Sequence, residues 1–156
     1  TWIDWEKADT SLIEFTQKLI LMRRKHPNFR RWKWLSGQIS ELNKRPDINW
    51  FRPDGSEMHD SDWNTGYVKS LTVFLNGKAI AGMDPRGMPV MDDDFYLMFN
   101  AHYEPLDFVI PSRNGKGWII IVDTNTGEIT DEGKSYFPKD KVKLESRSMM
   151  VLRHVE

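Results

Sequence analysis

The side chains able to move protons or hold charge fall in a few short runs. Asp92-Asp93-Asp94 is the densest acidic run, and Asp60-Ser61-Asp62 is a second. Two carboxyl groups facing each other across a scissile bond can cleave a glycosidic linkage. The Asp92 run, however, lies between a Pro- and Gly-rich stretch and a strand candidate at Phe95. Runs of charge are usually solvated faces, so both runs are expected to be solvent-facing loops. Asp123-Thr124-Asn125-Thr126-Gly127-Glu128 begins like a calcium loop. That pattern needs Gly at its sixth position and Glu at its twelfth. Glu128 and Lys134 stand there instead, and the segment reads as a turn. The histidines, His26, His59, His102 and His154, lack the paired spacing of a zinc site. There is no Gly-x-Ser-x-Gly and no phosphate loop. No metal, cofactor or catalytic residue is expected in this chain.

Aromatic rings are the other resource, with seven Trp, eight Phe and four Tyr. Such rings stack on the apolar faces of sugars, but they also fill β-sandwich cores. Trp118 heads an Ile-Ile-Ile-Val run and reads as core. Trp2 and Trp5 differ, because they bracket Asp4 ahead of a helix start, where a loop is expected. Loops carry function more often than core elements do.

The elements that must hold these residues are of two kinds. Up to about Pro27 the chain reads as helix, with Leu12, Phe15, Leu19 and Met22 on one stripe and Ile13 and Ile20 widening it. The expected span is Leu12–Arg24. Ser11 to Glu14 fits a capping box, with Asp9 as the competing cap. Pro27 ends the helix, since it drives His26 out of helical geometry. Beyond it, strand candidates fall at Asp47–Phe51, Ser70–Asn76, Phe95–Asn100, Phe108–Ile110, Trp118–Val122 and Ser148–Arg153. Asn76-Gly77 carries a strong hairpin signal leading to Ala79-Ile80. Short strands at this spacing predict an antiparallel β-sandwich. Strand parity places Leu71, Val73, Leu75, Phe95, Leu97, Phe99, Trp118, Ile120 and Val151 in the core.

The chain has 156 residues, 39% apolar and 29% charged, with net charge -1. That balance gives no reason to expect nucleic acid or an anionic membrane as partner. Arg23, Arg24, Lys25, Arg30 and Arg31 cluster at the expected helix end, where cations are favoured. The absence of cysteine suits a reducing cytoplasm. The chain opens at Thr1 without Met and is expected to be a piece of a longer polypeptide.

Several segments together resemble the C-terminal region of bacterial glycogen-debranching enzymes and isoamylases, in the α-amylase superfamily. They are Trp2 to Trp5, Leu19 to Pro27, Trp50 to Met58, Asp62-Trp63, Leu75 to Ile80, Asp93 to His102, Trp118 with Val122 to Thr124, and Arg147-Ser148. The resemblance implies a parent that hydrolyses α-1,6 branch linkages with carboxylates carried on a (β/α)8 barrel upstream of Thr1. It divides the chain into the end of the barrel (residues 1–27), a linker (28–34) and a C-terminal β-sandwich (35–156). The Trp2–Trp5 segment would follow the last barrel strand, and such loops line barrel active sites. Trp2 and Asp4 thus become candidate substrate-binding residues in the full-length enzyme. The chain alone is expected to be inactive, with the barrel and α-glucan as partners. Two alternatives stand beside this reading: a free-standing carbohydrate-binding module, and a structural or protein-interaction β-domain. The helix separates the first reading from the free-standing module, and titration with maltooligosaccharides separates the module from the structural domain. An apolar stripe needs a partner, and the expected outcome is that it packs back onto the sandwich.

Overall fold

In the computed structural model, residues 2, 4–41, 44–65, 69–112 and 117–155 are described. Helix α1 spans Thr10–Lys25. The competing cap wins: Asp9 Oδ1 accepts from the Ser11 amide at 3.0 Å, the Leu12 amide at 3.4 Å and the Ser11 hydroxyl at 2.6 Å. With the Ser11 hydroxyl spent on Asp9, the expected capping box gives way to an Asp cap two residues earlier. Arg23, Arg24 and Lys25 occupy the last turn, and a 3-10 turn over Pro27–Arg30 follows.

The strands are β1 Ile48–Phe51, β2 Ser70–Leu75, β3 Phe95–Asn100, β4 Leu106–Val109, β5 Trp118–Asp123, β6 Glu128–Ile129, β7 Ser135–Tyr136, β8 Lys141–Leu144 and β9 Ser148–His154. A short helix α2, Asp60–Trp63, lies between β1 and β2. The large sheet runs β1-β2-β3-β9-β5-β6, with β7 also on β5; β4 and β8 form a second sheet. All pairings are antiparallel. The fold is the mainly β, two-sheet arrangement preceded by one helix that the sequence predicts.

Two hydrophobic layers form. Inside the sandwich, Phe51, Phe74, Tyr96, Met98, Trp118, Met150 and Leu152 meet Phe108, Ile110, Val142 and Leu144. Aromatic rings carry this layer, with Tyr96 4.1 Å from Trp118 and 5.5 Å from Phe74 between centroids. On the opposite face of the large sheet, Val73, Leu75, Phe95, Ile119, Ile121, Val122 and Val151 pack with Phe15, Leu19 and Met22 of α1 and with Phe29. The helix therefore lies on the β-domain, as expected. A register shift at Ile121 lets both Ile121 and Val122 join this outer layer.

Parity failed where both faces are covered. Thr72, Phe74 and Asn76, opposite the expected core face of β2, are fully buried, while Leu71, Leu97, Phe99 and Ile120 are only half-buried. The expected core list also joined two layers, since Trp118 and Ile120 face inward and Leu71, Val73 and Leu75 outward. The Asn76-Gly77 hairpin does not form either. β2 pairs with β3, Leu75 opposite Phe95, across a long connection. Asn76 instead caps that turn from inside, its Nδ2 donating to the Pro46 carbonyl at 3.0 Å and its Oδ1 accepting from the Lys78 amide at 3.0 Å. Gly77 is required there, because a Cβ would overlap the backbone carbonyls of Asp92 and Asp93.

Candidate functional site

Trp2 and Asp4 stand at the start of the chain. Trp2 is fully exposed and Trp5 largely so. Asp4 caps the 3-10 turn Trp5–Lys7, accepting from the Glu6 amide at 3.2 Å and pairing with Lys7 Nζ at 3.0 Å. Its carboxylate is thus engaged locally, and no charged partner from outside this turn is recorded for it among the described residues.

The Asp92-Asp93-Asp94 run is not a solvated loop. Asp92 is nearly buried: Oδ1 lies 2.8 Å from His26 Nδ1 and 2.8 Å from the Asp93 amide, and Oδ2 accepts from the Asn28 amide at 2.9 Å. Asp94 Oδ1 accepts from the Gly77 amide at 2.8 Å. Asp93 pairs with Arg153 at 3.2 Å. His26, Asp92 and Asp93 are close enough to share a cation. Their oxygens already accept protein donors, and a guanidinium occupies Asp93, so the geometry is that of an interlock. It pins the end of α1 to the β2–β3 connection. Around it, Asn28 Nδ2 donates to the Asp93 carbonyl at 3.1 Å, and Arg31 donates to the Asn76 and Ala79 carbonyls at 2.6 and 2.8 Å. Desolvation pulls the Arg31 pKa down, and the carboxylates of Asp47 and Asp92 oppose it. Lys25 forms a 2.5 Å ion pair with Asp131, and that hydrogen bond, with the charges of Lys25 and Arg153, lowers the Asp131 pKa.

Asp60-Ser61-Asp62 likewise gains structure. Asp62 lies in α2, accepts from the His59 amide at 2.8 Å and sits 3.5 Å from Arg52 Nη1. With Pro53, Met58, Lys69, Ser70, His102 and Leu106 these residues line a groove of about 220 Å³. No motif in the sequence joins Arg52 and Asp62, both in the β1–β2 connection, to His102 in the β3–β4 connection. The Asp123 segment is a turn, as expected, with Asp123 Oδ1 accepting from the Asn125 amide and Gly127 at φ 70°.

Among the described residues, apolar side chains are open to solvent on α1 and in the β2–β3 connection. On α1, Leu12, Ile13 and Ile20 are 61%, 38% and 47% exposed. In the β2–β3 connection, Met83, Met88 and Met91 are exposed, and Trp32 lies along its base with Nε1 bonded to the Ala81 carbonyl at 2.8 Å.

Residues 47–153 match the family described as "Isoamylase, C-terminal". The chain belongs to the isoamylase C-terminal family. The matched stretch runs from Asp47, just before β1, to Arg153 in β9, so this isoamylase C-terminal domain contains both sheets and the Arg153 side of the interlock, with α1 outside it. The chain is 36% identical over 157 aligned residues to a "Glycogen operon protein GlgX homolog" of Mycobacterium tuberculosis, covering 98% of this chain and 22% of the relative. It is 22% identical over 121 residues to an "Isoamylase" of Pseudomonas amyloderamosa, covering 77% and 13%. It is 29% identical over 76 residues to a "Glycogen debranching enzyme" of Yersinia pseudotuberculosis, covering 49% and 11%. The chain spans about a fifth of the length of the first of these relatives.

Proposed function

We propose that this chain is the C-terminal accessory domain of an α-1,6-glucan debranching hydrolase. The observation that carries the reading is the alignment of nearly the whole chain, helix included, with a relative more than four times its length. In this reading residues 1–27 finish the catalytic barrel, 28–34 link, and 35–156 form the C-terminal domain. The open apolar stripe of Leu12, Ile13 and Ile20 packs against the barrel, and the interlock at His26 and Asp92 holds barrel end and β-domain in one orientation. Trp2 and Asp4 lie at the substrate cleft of the complete enzyme. The exposure of Trp2 supports this, since an aromatic ring left in water is available to a sugar. No described helix is long and apolar enough to cross a membrane, and the cytoplasm is the compartment proposed.

The test is release of linear glucan from a phosphorylase-limit dextrin. The polypeptide joining this chain to its upstream barrel should release it. The 156-residue chain alone should release none, because in this reading the proton donor and the nucleophile belong to the upstream barrel. Activity of the isolated chain above a no-protein control would overturn the assignment.

A further inference from the structure

We propose that this domain holds α-glucan itself, one sugar ring in the groove lined by Arg52, Asp62 and His102, and the next on the exposed ring of Tyr103, which stacks on His102 outside the groove lining. The inference rests on the debranching reading and adds to it a place on this chain where the substrate is gripped.

A pyranose presents apolar C–H faces and a rim of hydroxyls that both donate and accept. A matching site offers an apolar floor, an aromatic plate, and rigid polar groups of both kinds. The groove floor is Pro53, Met58 and Leu106. Its volume, about 220 Å³, is below the ~300–1,000 Å³ usual for small-molecule pockets. That suits one ring of a chain that continues over the surface. Arg52 is held in place, its Nε donating to Ser56 Oγ at 2.8 Å. Asp62 Oδ2 is tied to the His59 amide, which leaves Oδ1, 3.5 Å from Arg52 Nη1, to accept. His102 Nδ1 accepts the Glu104 amide at 3.1 Å, so the neutral ring carries its proton on Nε2 as a donor. The Tyr103 ring stacks on His102, centroids 4.2 Å apart at 29°, and is 65% exposed, so its second face is open.

The loop that carries the plate is built rigidly. Asn100 is buried, its Nδ2 donating to the carbonyls of Glu104, Leu144 and Glu145 and its Oδ1 accepting from the His102 amide and Ser70 Oγ. Preorganisation of this kind lowers the ordering cost of binding. Charge selects the ligand class. Two cations, Arg52 and Lys69, stand with two carboxylates, Asp62 at 3.5 Å and Asp54 at 3.8 Å from Arg52. A site so balanced favours a neutral polyhydroxyl over a phosphate or an acidic peptide.

The experiment titrates this chain with maltoheptaose and follows backbone amide shifts by NMR. Shifts should centre on residues 52–62 and 100–106. Tyr103→Ala should weaken binding about tenfold with spectral dispersion unchanged, and Tyr103→Phe, which keeps the plate, should bind as the parent does. Trp34→Ala removes a 97% exposed ring outside the groove and should leave the affinity unchanged. Absence of shifts at millimolar maltoheptaose, shifts centred elsewhere, or full affinity in Tyr103→Ala would each overturn the proposal. Any of these leaves the debranching reading standing, since that is judged by glucan release from the longer polypeptide. Conversely, groove binding together with an inactive longer polypeptide would keep this site and remove the enzyme assignment.

Discussion

The two faces of the large sheet use similar apolar residues but are finished to different degrees. The inner face is closed by the β4–β8 sheet, and Phe74, Tyr96, Met98, Phe108 and Leu152 have no exposed surface at all. The outer face is covered by α1, none of whose residues is itself buried, and Trp50, Leu71, Leu97, Phe99 and Met149 along it stay half-open. A face sealed by its own chain sustains folding. A face that stays half-covered while its covering helix also shows an apolar stripe matches a surface that a further domain completes.

The contrast breaks most sharply at Trp118. Trp118→Ala removes the buried ring packed 4.1 Å from Tyr96 and should cost about 3–5 kcal/mol, seen as a lower midpoint in urea unfolding. A loss under about 1 kcal/mol would mean that the inner face is not the source of stability. Asp92→Ala comes next. It leaves His26, the Asn28 amide and the Asp93 amide without their acceptor, and should cost about 3 kcal/mol. Its signature is regional: hydrogen exchange in α1 should accelerate while β3 and β9 keep their protection. Uniform acceleration would show that the two faces unfold as one unit.

Acid gives a smaller effect at the same junction. The Asp131 pKa is lowered, chiefly by its hydrogen bond from Lys25. A carboxylate whose folded pKa lies below its unfolded value stabilises above the unfolded value, about 3.9, and that contribution is lost as pH falls through the folded one. The pair is solvent-exposed, so it is worth under about 1 kcal/mol. Asp131→Asn should therefore lower stability near neutrality by under about 1 kcal/mol, flatten the stability-versus-pH curve below about pH 4, and match the parent once the pH lies below the folded pKa. A larger difference at pH 7 than at pH 3 in helix protection is expected between parent and variant; the reverse order would contradict the pairing. The smallest effect sharpens the comparison best. Leu12→Lys with Ile20→Lys should shift the isolated chain by within about 0.5 kcal/mol, since both side chains already face water. In the longer polypeptide the same pair should lower the thermal midpoint measurably. Equal tolerance in both contexts would remove the case for an upstream partner on this stripe.

Several local features were legible because their causes are local. The helix end before Pro27 follows from the proline ring, and β3 follows from an apolar run bounded by turn chemistry. Three strands escaped notice: Glu128–Ile129 and Ser135–Tyr136 carry only two residues each and pair along β5, and Lys141–Leu144 offers only Val142 and Leu144 between lysines, its burial supplied by pairing with β4. The candidate sites were legible to different extents. Trp2 and Asp4 were singled out by their position before a cap, and they remain an exposed ring and a locally engaged carboxylate. The groove was not legible, since His102 is far in the chain from Arg52 and Asp62 and none of the three belongs to a motif.

Sequence alone determined the element types, the antiparallel character and the family likeness, because periodicity, proline, glycine and cap residues act within a few positions of themselves. Tertiary structure decided which face of β2 lies inside. Both faces carry apolar residues, so alternation could not distinguish a sheet covered on one side from a sheet covered on both. It also decided that Asp92 is buried. A run of carboxylates reads as solvated until His26, the Asn28 amide and Arg153 arrive from distant parts of the chain, and that supply of donors is what makes burial of the charge affordable.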